Sequence, residues 1–187
     1  MSTQPAARRW TYAEFARLPS DGNRYEVIGG ELYVSPSPRP LHQEIVARLG
    51  DVIRPFVAEH QLGRAVPGPI DVLFAEGDYM APDFVFVCQG RVSCFTRRGL
   101  EGPPDLVVEI VSPETGRRDR GLKRDRYAHF GVAEYWVIDP EKKRIEIHRA
   151  TDDPGRKTEI ATGDLIWQPV PGGPVLTLNV PDLLREW

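Results

Sequence analysis

Six consecutive residues, Leu106-Val107-Val108-Glu109-Ile110-Val111, constrain the fold of this chain more than any other stretch. The run has the length of a strand, is bounded by Gly and Pro, and is apolar at every position but one. A strand without polar alternation belongs inside a sheet that is covered on both faces, which points to an α/β architecture. Glu109 is then the anomaly. A carboxylate taken out of water without a partner is so unfavourable that such groups pair with a cation, bind a metal or take up a proton. Glu109 is therefore either half of a structural ion pair, a strand-end carboxylate in water, or part of a site.

The rest of the chain supplies the partners of such a strand. At 187 residues it is expected to form a single domain spanning 1–187, with residues 1–10 as a flexible tail. Thr11 and Glu14 form a capping-box pattern before a short helix. Arg24–Ile28 and Glu31–Val34, separated by Gly29-Gly30, read as a hairpin. Leu41, Ile45, Leu49, Val52 and Phe56 recur at helical spacing up to about His60, with Pro55 as a potential kink. Ile70–Phe74 and Phe84–Cys88 read, like the Glu109 run, as central strands. Pro113 to Gly131 carries the start and stop signals of a helix. Glu134–Asp139 and Arg144–His148 read as a second hairpin whose later strand alternates like an edge. Weak strands and a terminal helical turn at 181–186 are expected beyond it. The fold class is α/β, a mixed sheet flanked by helices, with additional N- and C-terminal hairpins.

Composition excludes several classes. The formal charge of -3 argues against a surface that is basic throughout, although a local basic strip still suits a polyanion. Cys88 and Cys94 are too few for a disulfide framework and lack zinc-ligand spacing. No window approaches the length of a transmembrane helix and no signal peptide opens the chain, so a cytoplasmic protein with no membrane partner is expected.

Candidate chemistry gathers around Glu109. Asp83, in Ala81-Pro82-Asp83-Phe84, stands at the entrance of an apolar strand, so two carboxylates converging at one end of the sheet would share a hard divalent ion, Mg2+ or Mn2+. Asp119, Lys123, Tyr127 and Phe130 fall on one helix face, which carries Lys123 toward the sheet if the aromatic residues pack there. Otherwise Lys123 is a snorkelling surface residue. Glu26 interrupts a hairpin strand and leans inward. His42 shares a helix side with Val46, Leu49 and Ile53, the position of a core-edge histidine or, less simply, of a site residue. Arg117, Arg118, Arg120, Lys123, Arg124 and Arg126 outnumber Asp119 and Asp125 locally, a candidate contact for a phosphate backbone or an ordinary solvated face. Serine-nucleophile motifs, paired-His zinc helices and glycine-rich phosphate loops do not occur.

Pro82-Asp83, followed by Glu109 in a buried strand and a lysine-bearing helix, resembles the PD-(D/E)XK restriction-endonuclease superfamily. More specifically, Arg24-Tyr25-Glu26-Val27-Ile28-Gly29-Gly30-Glu31-Leu32, His42-Gln43, Val108-Glu109-Ile110-Val111-Ser112-Pro113 and the run from Gly131 to Pro140 are similar to the Uma2 family of candidate endonucleases. The resemblance implies a restriction-endonuclease-like core with Asp83 and Glu109 as magnesium ligands. It also implies a lysine that orients or activates the attacking water. Val111 stands where the superfamily places that lysine, so the role passes to Lys123. Glu26 corresponds to the extra acidic residue such cores supply from an early element. The expected catalytic set is thus Asp83, Glu109, Lys123, Glu26 and His42.

The function implied is metal-dependent hydrolysis of phosphodiester bonds in DNA. The alternative is a catalytically inactive DNA-binding or dimerisation domain that retains the nuclease fold, and RNA or branched DNA stays open as substrate. A homodimer or higher homo-oligomer is the expected assembly, with Trp136 or Trp167 at its surface unless they belong to the core.

Overall fold

The computed structural model describes residues 9–150 and 158–186. The chain opens with α1 (Tyr12–Phe15), whose Thr11 and Glu14 form the reciprocal capping box written in the sequence. The strands β1 (Arg24–Ile28) and β2 (Glu31–Ser35) form the first hairpin, turning on Gly29 and Gly30 with φ of 62° and 90°. Glycine meets that requirement without a Cβ penalty. The long helix α2 (Pro40–Glu59) follows and continues through Pro55. Next come β3 (Gly63–Pro67), β4 (Val72–Ala75), β5 (Asp78–Met80), β6 (Phe84–Cys88), a 3-10 turn at Gln89–Cys94, β7 (Leu100–Glu101) and β8 (Leu106–Ile110). A helical crossover made of α3 (Gly116–Arg118), a π-helical segment (Asp119–Lys123) and α4 (Arg124–His129) leads to β9 (Glu134–Asp139) and β10 (Arg144–Arg149). The chain ends in β11 (Glu159–Ala161), β12 (Asp164–Trp167), β13 (Leu176–Asn179) and α5 (Val180–Leu183).

The main sheet has six strands in the order β11-β10-β9-β8-β6-β3. β8 lies inside it, antiparallel to β6 and parallel to β9. Side-chain alternation along β8 divides the molecule. Leu106, Val108 and Ile110 join Ile45, Leu49 and Ile53 of α2, together with Phe84, Phe86, Trp136 and Trp167, in one core. Val107 instead joins Val85, Val87, Val137 and Tyr127 of α4 on the opposite face. Glu109 has the parity of Val107, so it points to the side of the helical crossover and of the second sheet, ordered β2-β1-β5-β4-β7.

Several elements depart from the sequence expectations. Ile70–Phe74 is not a central strand of the main sheet; its structured part, β4, sits in the second sheet between β5 and β7. The outer strand β3 was not anticipated, because Gly and Pro close a run of only five residues. β10 is not an edge strand, since β11 pairs with it. Val52 is exposed, and Val46 and Val57 take the buried stripe of α2. The crossover helix starts at Gly116 rather than Pro113, because the Ser112 and Thr115 side chains each accept from the other's backbone N–H and form a turn ahead of it. Both Trp136 and Trp167 are core residues, so neither is a surface for a dimer. Of the expected tail, residues 1–8 lie outside the described residues, whereas Trp10 donates from its backbone to Gly30 O and packs beside Val27 and Tyr79. Among the described residues no helix is long and apolar enough to cross a membrane.

Candidate active site

Four separate elements bring charged side chains to one place beneath the main sheet. β8 supplies Glu109 from its inner parity, β1 supplies Glu26, the π-helical turn supplies Lys123, and the residue before β6 is Asp83. Lys123 Nζ donates to Glu109 Oε1 at 2.7 Å and lies equally 2.7 Å from Glu26 Oε1. Tyr127 OH donates to the same Glu109 oxygen at 2.7 Å, and the Ala81 N–H donates to Glu26 Oε1 at 2.9 Å. Asp119, one helical turn before Lys123, stands 3.8 Å from the ammonium. Lys123 and Glu26 are 0% exposed and Glu109 is 1% exposed. The helix face expected to carry Lys123 inward does so, with Tyr127 packed against the sheet and Phe130 half-buried on Phe74. The π turn widens the helix where Asp119 and Lys123 enter, a feature often found at functional sites.

Asp83 anchors the other side. Its Oδ1 accepts from Arg24 at 2.6 Å, and its Oδ2 accepts from the Ile110 N–H at 2.7 Å with His42 Nε2 at 3.1 Å. The Ile110 contact follows from the β6–β8 pairing, which sets Asp83 beside the residue next to Glu109. His42 reaches it from the first turn of α2, on the side shared with Val46 and Leu49. The structure thus sets Glu109 and Glu26 on Lys123 and His42 on Asp83, and the Ile110 N–H ties Asp83 to the strand that carries Glu109.

The electrostatics follow from burial opposed by neighbouring charge. Burial pushes the Glu109 carboxyl up, to about 8, against the attraction of Lys123 and with the help of the Asp83 charge. Burial alone would also raise Glu26, but Lys123 and Arg24 hold it below its ordinary value. Asp83 is buried too, yet the His42 and Arg24 contacts bring it down to about 2. Lys123 is desolvated, but Glu109, Glu26 and Asp119 keep its ammonium more firmly protonated than a free lysine. Asp119 is raised, chiefly by burial.

Sequence reasoning missed Arg24, Arg118 and Tyr127. Arg24 precedes Glu26 by two residues on one strand and therefore shares its face, a signal that was legible. Arg118 reaches Glu26 Oε2 at 3.6 Å and Ser35 Oγ at 2.9 Å, a contact across distant chain segments that spacing does not reveal. Most of the basic run of the crossover is committed to carboxylates, while Arg117 is exposed and has no ion-pair partner among the described residues. Arg118 and Lys123 face the buried carboxylates, Arg120 bonds Asp139 and Glu146, Arg124 bonds Asp125, and Arg126 bonds Asp78.

Among the described residues no group of three or more His, Cys, Asp or Glu side chains is arranged as a ready-made metal cage. Asp83, Glu109 and Glu26 nevertheless offer only oxygen donors, the set that hard divalent ions favour, and such ions often need just one or two carboxylates beside water. Glu26 Oε2 is moreover a buried carboxylate oxygen without a hydrogen-bond partner. Oxygen donors of this kind suit magnesium or manganese, although Arg24 occupies Asp83 Oδ1 in this structure.

A family profile described as "Uma2: Putative restriction endonuclease" matches residues 12–181. Among solved structures, a protein from Anabaena variabilis ATCC 29413, described as a putative nuclease belonging to DUF820, is 23% identical and superimposes with a TM-score of 0.75. The match covers 94% of this chain and 97% of that one, and it shows that the two share a fold. No curated protein matches.

Proposed function

The chain belongs to the Uma2 family, and from that premise we propose that it is an endonuclease that hydrolyses phosphodiester bonds in DNA with a divalent ion. One observation carries the reading: Lys123 is shared at 2.7 Å by Glu109 and Glu26, beside a buried Asp83, although these residues come from four separate elements. Asp83 and Glu109 would hold Mg2+ or Mn2+, which would supply a water of lowered pKa and shield the scissile phosphate.

The chain's own groups do the remainder. Lys123 keeps its proton because Glu109, Glu26 and Asp119 face it, so its buried positive charge would act on the negative charge developing at phosphorus through the electric field rather than by contact. Glu26 holds the ammonium in place from the side opposite Glu109. His42 and Arg24 orient the Asp83 carboxylate, and the Arg24 guanidinium balances its charge. Buried dipoles and charges of this kind need little rearrangement during reaction.

Plasmid nicking in magnesium or manganese tests the reading. Wild type should cleave, while Glu109→Gln and Lys123→Met should lose cleavage by at least a hundredfold and keep their circular-dichroism spectra. A wild type that cleaves no form of DNA with either ion overturns the enzymatic proposal. The second reading, an inactive DNA-binding domain, draws on the same ion pairs, since each acid of the centre already faces a cation. It predicts metal-independent retention of DNA that Asp83→Ala leaves unchanged. Assembly as a homodimer would allow two centres to address two strands.

A further inference from the structure

A cleft of about 740 Å³ opens beside the charged centre, and its lining includes Asp83, Arg24, His42, Tyr25 and Arg97. Glu109, Lys123 and Glu26 do not line it. Access from solvent to the centre therefore passes Asp83 and its two partners. Arg24 and His42 also border a second cavity of about 310 Å³ on their far side, but Glu114 and Glu141 lie on its wall. Arg39 on that wall is held by Glu114 at 3.3 Å, whereas Arg97 on the wall of the larger cleft has no ion-pair partner among the described residues, so the larger cleft is the better approach for a phosphate backbone.

The form of nucleic acid follows from the recess. A duplex is a stiff cylinder, and bending it to follow a recess costs a few kcal/mol. An unpaired strand bends into a recess without that cost. The side chains suit such a strand. Arg97 is exposed and has no ion-pair partner among the described residues, whereas Arg98 next to it is held by Glu101 at 2.8 Å and lies over the Tyr12 ring. Tyr25 donates its hydroxyl to Asp21 at 2.7 Å, which fixes the ring. Tyr12 and Phe15 pack on Tyr79, whereas the Tyr25 ring meets no other ring among the described residues. A cation without an ion pair and a ring that stacks on no other ring line the same cleft, the two kinds of group that sequence-tolerant single-strand binders use.

We propose that this cleft binds an unpaired nucleic-acid strand, with backbone phosphate on Arg97 and a base on Tyr25, and delivers the next phosphate to Arg24 and Asp83. The chemistry at the end of the path rests on the nuclease reading; the binding does not.

The test is fluorescence anisotropy of the full chain with a labelled strand of about twenty nucleotides, alone or annealed to its complement, in a chelator so that nothing is cut. The single strand should bind at least tenfold tighter than the duplex. Arg97→Ala, a change at an exposed position, should weaken it at least threefold and reduce the salt slope by about 0.7. Tyr25→Ala should weaken it at least fivefold, and Tyr25→Phe should not. Equal or tighter duplex binding, no binding of either form, or an Arg97→Ala variant identical to wild type overturns the proposal. Strand-selective binding without cleavage in magnesium supports the cleft and removes the nuclease. Cleavage of duplex without strand preference does the reverse.

Discussion

The Lys123 ammonium lies 2.7 Å from Glu109 Oε1 with neither side chain in contact with bulk water. Lys123 is reached from a helix fourteen residues later in the chain than the strand that carries Glu109. The same ammonium also satisfies Glu26, so one cation compensates two carboxylates whose burial would otherwise be prohibitive.

Removing that cation should therefore cost more than an ordinary core change. Lys123→Met is expected to lose about 3–5 kcal/mol of stability, because Glu109 loses the cation it faces and Glu26 keeps only the longer Arg118 contact at 3.6 Å. Urea unfolding measures it. Adding Glu26→Gln and Glu109→Gln should recover most of the loss, and a single variant that costs under about 1 kcal/mol would show that the pair does not hold the fold together.

Acid should act first through Asp83. Its folded-state pKa, about 2, lies below the ordinary 3.8, so its contribution is full above about pH 4 and disappears as pH falls toward 2. The difference corresponds to about 2 kcal/mol. Unfolding free energies measured between these limits should fall more steeply for wild type than for Asp83→Asn.

Glu109 shifts the other way, up to about 8 because it is buried. A cation can use this carboxylate only after it loses its proton, so magnesium affinity should climb from pH 6 to pH 8, by up to about tenfold per unit, and level off above. Calorimetric titration of Mn2+ at several pH values checks the trend. Glu109→Gln should remove the slope.

Gly68 should report on the placement of Asp83. Its N–H donates to Asp83 O at 2.7 Å, and a Cβ at this position would stand 2.1 Å from Pro82 O. Gly68→Ala must push the Pro82-Asp83 backbone away and is expected to cost about 1–3 kcal/mol. Gly90→Ala, where an added Cβ meets nothing within 4 Å, serves as the control and should stay within about 0.5 kcal/mol in thermal unfolding.

Much of this site was legible before the fold was known. A carboxylate inside an apolar run, an Asp before a second such run, and a lysine in phase with Tyr127 each broke a local pattern, and a broken pattern is visible in one dimension. The inward lean of Glu26 followed from the same logic. What escaped notice were residues whose local pattern is ordinary. Arg24 heads a strand, Arg118 sits in a basic run, and β3 is five residues between Gly and Pro. Only Arg24 carried a local mark, its two-residue spacing from Glu26 on one strand.

The sequence by itself determined which side chains had to be buried and on which face of each element, because periods of two and 3.6 convert spacing into direction. It determined that Glu109 required a partner. Only the tertiary structure decided who that partner was, and that Lys123 serves Glu26 as well, that Arg24 and His42 close on Asp83, and that Arg118, Arg120, Arg124 and Arg126 of the crossover are already paired. The physical reason is that ion pairing in a low-dielectric interior depends on distances of a few ångströms between segments far apart along the chain. Those distances are set by strand order and packing rather than by any local pattern.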